Sequence, residues 1–265
     1  ISIPDSIEQI GYEAFSGCSS LKKINLPNKY FYIQPYTFKD CTSLIEFTLP
    51  SEIKYLEEGI FYGCTNLKKL NCSQEIEHIE PYALYNCKNL RGFQISKTTK
   101  FIGEFAMYGC DSIEKIIIPA CTEKIEVGAF SMMPSLRTIM VDRQNKKYLS
   151  TTHSSLLIDK ENQTILQYAI ANDEEEVVLS MLFYDPIQLE NENIDIDEED
   201  LDIYTSIESI SDYAFAGAKS IKTIHIFSSL EHIGNNTFAS CDNLEELIVH
   251  CKDQFGKIFL VRTPL

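Results

Sequence analysis

A period of 23 residues constrains this chain more than any other feature. Cys18, Cys41, Cys64, Cys87 and Cys110 are each 23 residues apart. Phe15, Phe38 and Phe61 keep the same step, as do Leu21, Leu44, Leu67 and Leu90, and Ile10, Ile33, Leu56, Ile79 and Ile102. Self-similarity at such a period marks a solenoid, in which each unit contacts only its neighbours and the core is a long column. Phe15, Phe38 and Phe61 are therefore expected to stack in register.

Within the unit, Leu21-x-x-Ile24-x-Leu26 has the spacing of a leucine-rich repeat. Its last part alternates as a strand does, with Ile24 and Leu26 facing the column and Lys23 and Asn25 facing out. Pro27, Pro50 and Pro119 follow the strand and end it, because proline offers no N–H to a ladder. The stretch Gly11 to Cys18 predicts one short helical turn, with Gly17, Gly63 and Gly109 where a C-cap takes positive φ, and Asp40 and Asn86 in that place elsewhere. A further apolar slot holds Ile7, Tyr30, Ile53 and Ile76, then Thr99 and Thr122. The expected fold is a leucine-rich-repeat solenoid of stacked 23-residue coils, with a parallel β-sheet on one face, short helical turns, and a β-hairpin excursion interrupting the array.

The repeats divide the chain. Residues 1–141 hold six coils, 142–206 form a non-repeat excursion, 207–250 hold two more coils, and 251–265 are a tail or the start of a cap. In the excursion, Ser155 to Ile158 and Thr164 to Tyr168 read as short strands separated by turn chemistry. Residues 172–202 carry two acidic runs, and Asp195 to Asp202 is expected to be a surface loop. Ile1 and Ile3 precede Ile24 and Leu26 by one period, so the sequence is expected to belong to a longer array.

The net charge of −16 repels phosphate backbones and anionic membranes and argues against nucleic acid as a partner. No run of 18 apolar residues appears, so no membrane span is expected here. Six of the nine cysteines share one repeat position, where Met133 and Ala218 also stand. A slot that accepts Cys, Met or Ala is small and apolar, and a ladder of buried free thiols is expected. Disulfides between adjacent coils are disfavoured because the side chains of stacked rungs point the same way.

No catalytic constellation, metal-ligand spacing or phosphate loop is found, and no cofactor is expected. The alternating carboxylates of Asp195, Asp197 and Glu199 lack the glycine that an EF-hand loop needs. Sequons occur at Asn71, Asn162 and Asn235 and matter only in a secreted chain. The out-facing strand residues are the candidate partner-binding face: Lys23, Asn25, Glu46, Thr48, Lys69, Asn71, Gln94, Lys115, Ile117, Thr138, Met140, Thr223 and His225. Gly92, Glu246 and Ile248 complete these rows. Ile117, Met140 and Ile248 are expected to be exposed apolar contacts unless the excursion covers the first two.

The segment Ile7 to Pro27 resembles the repeat of BspA-like leucine-rich-repeat proteins, I-x-x-I-G-x-x-A-F-x-G-C-x-S-L-x-x-I-x-L-P, almost letter for letter. Ile207 to Ile226 matches in part, and Asn145-x-x-Tyr148 followed by a hairpin is similar to that family's interruption. The resemblance implies a non-enzymatic adhesin, at the cell surface or secreted, that binds a host or microbial protein or glycan. An intracellular scaffold of the same fold is the alternative. A hydrolase with its site in the excursion is the third possibility, and no turnover is expected of it.

Overall fold

The computed structural model describes residues 1–27, 32–72, 75–151, 156–178, 207–227, 230–252 and 258–264. Tyr30, His153, Ser155, Ser73 of the first sequon and the acidic stretch 195–202 lie outside them. Phe15 stacks on Phe38 with centroids 5.6 Å apart, and Phe38 on Phe61 at 5.8 Å, with rings nearly parallel. The coils are therefore in register, and the chain is a leucine-rich-repeat solenoid.

Three hydrogen-bonded ladders join coil to coil. Two are strands. The expected parallel ladder follows each Leu-x-x position and comes in pieces: Glu46–Thr48 with Lys69–Asn71, Lys115–Ile118 with Thr138–Val141, and Thr223–Phe227 between Glu176–Val178 and Glu246–Lys252. It is interrupted at the fourth coil, where Gly92 takes φ +64 and residues 92–94 lie outside any strand. A second parallel ladder, not anticipated, runs through two-residue strands at the Ile10 slot. Tyr55–Leu56, His78–Ile79, Phe101–Ile102 and Lys124–Ile125 form one four-stranded sheet. Strands of two residues are too short for alternation to be read from sequence.

The third ladder replaces the expected helical turns, and no described residue is helical. Gly17, Gly63, Gly109, Asp40 and Asn86 have positive φ as expected, but a second left-handed residue precedes each by four positions: Glu13, Gly59, Phe105, Tyr36 and Tyr82. A right-handed helix cannot pass through such residues every turn. Instead the N–H groups alternate in direction. Those of Ala14, Ser16 and Cys18 bond back to the carbonyls of Gly11, Glu13 and Phe15. Those of Phe15 and Gly17 cross to Thr37 and Lys39 of the next coil, at 2.9 and 2.8 Å. Close approach follows: a methyl group on Gly59 would overlap the Tyr36 ring, and one on Gly128 would overlap Phe105.

The thiol ladder is more than apolar filling. All eight described cysteines are free, and Cys41, Cys64, Cys87 and Cys110 are buried, whereas Cys18 is exposed. Each buried Sγ donates to a carbonyl of the preceding coil: Cys41 to Phe15, Cys64 to Phe38, Cys87 to Phe61 and Cys110 to Leu84, at 3.0–3.2 Å. Burial pushes the Cys41 thiol up to about 12 and raises those of Cys64, Cys87 and Cys110 as well.

The excursion is a wall between two apolar columns. Tyr148–Ser150, Leu156–Asp159 and Thr164–Tyr168 pair antiparallel, and Thr164–Tyr168 then pairs parallel with Ser209–Ile210. Tyr148 and Leu157 pack into the core of the first six coils. Leu156, Ile158, Ile165 and Tyr168 pack into the core of the later ones. Tyr168 stacks on Phe215 at 5.2 Å, continuing the aromatic column. The seam is the Asn145-x-x-Tyr148 pair. The Asn145 amide donates to the carbonyls of Pro119 and Thr122, and its oxygen accepts from the Lys147 and Tyr148 N–H groups. The Tyr148 hydroxyl accepts from the Ile125 N–H at 2.9 Å, taking the place of a next rung. At the far end, Ile258–Pro264 pairs antiparallel with Glu246–Lys252 along the outer edge of the sheet.

Three outcomes follow. Gly59→Ala should destabilise by about 1–3 kcal/mol, through strain at positive φ and displacement of Tyr36. Gly11→Ala, where a methyl meets nothing within 4 Å, should be far milder in the same thermal melts. Tyr148→Phe should cost about 1–3 kcal/mol by leaving the Ile125 N–H without its acceptor. In native thiol titration Cys18 should react quickly and Cys41, Cys64, Cys87 and Cys110 only on unfolding, and Cys64→Ala should cost about 1 kcal/mol or more for the void it leaves. Fast labelling of all of these thiols in the folded chain would refute the dry ladder.

Candidate binding face

The proposed face divides into clusters set by strand register. Glu46 lies opposite Lys69, and Thr48 opposite Asn71. The Lys69 ammonium is 3.3 Å from the Glu46 carboxylate, and the Asn71 amide donates to Glu46 at 2.9 Å and to Thr48 at 3.1 Å. The Asn71 hydrogen bond, then Lys69, holds the Glu46 carboxyl below the usual carboxylate range. Beside this group, a shallow pocket of about 340 Å³ opens where Lys23 and Asn25 meet Glu46 and Thr48, floored by Pro27 and Pro50.

A second cluster sits at the fifth and sixth coils. Thr138 is opposite Lys115 and Met140 opposite Ile117. Ile117 is 46 % exposed and Met140 45 %, so the described part of the excursion does not cover them. Thr223 and His225 belong to a third cluster, where the register sets them opposite Glu246 and Ile248. Ile248 is 5 % exposed, contrary to expectation. Its strand is flanked on both sides, pairing with His225 on one and with Arg262 on the other. Gln94 is exposed but stands outside the ladder, because the backbone turns at Gly92.

Two surfaces escaped the sequence reading. One is the row immediately before the named one: Lys22, Ile45, Lys68, Arg91, Glu114 and Arg137, all exposed. The Lys68 N–H bonds the Ile45 carbonyl, the Arg91 N–H that of Lys68, and the Arg137 N–H that of Glu114. These residues are thus adjacent rungs. Their signal was present in the period, since both variable positions of Leu-x-x-Ile point outward. The other is aromatic. On the turn ladder Tyr85 stacks between Tyr62 and Tyr108, with centroids 4.6 and 4.9 Å away. On the second strand ladder Tyr55, His78 and Phe101 form a tilted file at 4.8 and 5.7 Å. Only the recurrence of Tyr at 62, 85 and 108 pointed to the first of these.

Among the described residues, no three His, Cys, Asp or Glu side chains converge as metal ligands. No helix among them is long and apolar enough to cross a membrane. What the surface offers is rows of side chains on rigid rungs.

Sequence comparison agrees with this geometry. The profile for the BspA type leucine rich repeat region matches six copies, over residues 1–103, 71–174 and 192–258. The chain belongs to the BspA-type leucine-rich repeat family. It is therefore a protein-interaction repeat module. No match is found among curated proteins. Three solved structures share the fold. A leucine-rich repeat protein from Eubacterium ventriosum is 17 % identical with a TM-score of 0.64, over 87 % of this chain and 60 % of that one. The pneumococcal vaccine antigen PcpA is 22 % identical with a TM-score of 0.58, over 95 % and 50 %. A leucine rich cell surface protein from Faecalibacterium prausnitzii is 18 % identical with a TM-score of 0.55, over 92 % and 52 %. This BspA-type array spans about half to three fifths of the length of these structures.

Proposed function

We propose that this BspA-type array is a non-enzymatic adhesion module, at the cell surface or secreted, that binds a host or microbial protein or glycan through its strand face. The observation that carries the reading is the cluster at the fifth and sixth coils. Lys115, Ile117, Thr138 and Met140 stand in paired register, with the two apolar side chains exposed on a ladder whose other face is buried core. An exposed apolar pair rimmed by polar groups is the usual composition of a contact site. The polar group of Glu46, Thr48, Lys69 and Asn71 extends the face toward the first coil, and Thr223 and His225 extend it past the excursion.

Extracellular display is supported by two similar structures, one described as a cell surface protein and the other as a vaccine antigen. The alternative, an intracellular scaffold, draws on the free thiols. Burial keeps Cys41, Cys64, Cys87 and Cys110 protonated and inert, so this ladder suits either compartment.

The test is capture of the purified chain on candidate host-cell and microbial surfaces. Wild type is compared with a Lys69→Glu/Lys115→Glu/Thr138→Ala variant and with Tyr62→Ala/Tyr85→Ala on the turn ladder. The strand-face variant should lose capture at unchanged melting temperature, and the turn variant should keep it. Undiminished capture by a well-folded strand-face variant would sink the reading.

A further inference from the structure

The strand face carries a charge that the rest of the chain does not. Across the Leu-x-x-Ile-x-Leu segments of the first six coils stand seven Lys and Arg and only two acids, Glu46 and Glu114. Across the turn segments of the same coils, taken as residues 11–20, 34–43, 57–66, 80–89, 103–112 and 126–135, stand eight Asp and Glu against Lys39 and Lys88. A chain of net charge −16 thus keeps a cationic strip along one face.

Most of that strip makes no ion pair, although the Arg137 guanidinium donates to the Ala171 carbonyl at 3.3 Å. Elsewhere lysines are matched to carboxylates: Lys54 and Lys100 both reach Glu77, at 2.9 and 3.1 Å, and Lys124 reaches Glu126 at 2.8 Å. Among the described residues, Lys22, Lys23, Lys68, Arg91 and Lys115 are in no ion pair, and of the strip's lysines Lys69 alone meets a carboxylate, that of Glu46. Carboxylates outnumber cations 39 to 23 in this sequence, so the unpaired cations of this strip do not reflect a shortage of partners. The backbone bonds from Lys68 to Ile45 and from Arg91 to Lys68 keep the file straight, one rung per coil. With rungs about 4.8 Å apart, Lys22 to Arg137 spans roughly 24 Å. Like charges held this close raise the local potential and attract an extended polyanion more than a point charge.

We propose that this strip binds an anionic polysaccharide, a chain bearing sulfate or carboxylate groups, and this rests on the strand-face reading above. The cations supply the charge complement. Beside them Asn25, Thr48, Asn71 and Gln94 supply amides and a hydroxyl for sugar hydroxyls. A protein partner would need apolar anchors in fitted pockets, and in the first four coils this strip exposes little beyond Ile45. The apolar pair Ile117 and Met140 lies at its far end, which leaves room for a second contact of a different kind.

The test uses heparin as the sulfated probe, polygalacturonate as the carboxylated one and poly-glutamate as an acidic peptide. Wild type is expected to bind one or both polysaccharides, more weakly as salt rises. Lys22→Glu/Lys68→Glu/Arg91→Glu should weaken that binding at least about tenfold. Lys39→Glu/Lys88→Glu/Lys219→Glu has the same net charge, lies on the turn segments, and should leave it within about twofold. Sulfate and carboxylate preference is read from the two polysaccharides. The proposal is overturned if wild type binds neither, if both variants weaken binding equally, or if poly-glutamate binds more tightly than either. Absent polysaccharide binding alongside loss of surface capture in the Lys69/Lys115/Thr138 variant would remove this inference and leave the adhesion module standing.

Discussion

Backbone polar groups buried in a core must find partners, and a coil of this solenoid cannot supply its own. Its N–H groups at Phe15 and Gly17 point at the next coil rather than into a helix, and its two strand positions pair only with the coils on either side. Each coil is therefore completed by its neighbours. Once three ladders run in register, equivalent side chains have no choice but to stack. The phenylalanine column, the thiols that donate to the carbonyls one coil back, and the amides of Asn66 and Asn89 that reach Thr42 and Thr65 are consequences of one constraint.

The same constraint turns composition into surface. A residue type favoured at one repeat position becomes a row, and a row of like residues has a property that no member has alone. Lysine and arginine at the start of the strand make a cationic strip. Tyrosine within the turn makes a stacked aromatic file. The net charge of the whole chain, −16, describes neither face.

The excursion keeps the stack continuous. Its middle strand has Leu156 and Ile158 facing one core and Leu157 facing the other, so both faces of the hairpin are buried. Asp159 is buried at its turn and satisfied by the Glu161 and Asn162 N–H groups and the Asn162 amide. The Tyr148 hydroxyl ends one ladder, and the strand Thr164–Tyr168 starts the next section of it.

The sequence alone determined the period, the inward slots and the alternation of Lys23, Ile24, Asn25 and Leu26, because apolar burial depends on residue type and spacing. It also showed left-handed positions at Gly17, Gly63 and Gly109, where only glycine or a tolerant residue fits. It did not reveal the second left-handed position, because Glu13, Tyr36, Tyr82 and Phe105 occupy it. Their φ is imposed by hydrogen bonds to the adjacent coil, which overrides local preference. That is why helical turns were expected and a turn ladder is found. The interrupted sheet at Gly92 and the burial of Ile248 were likewise decided by what lies alongside each strand, a relation between coils that no single repeat contains.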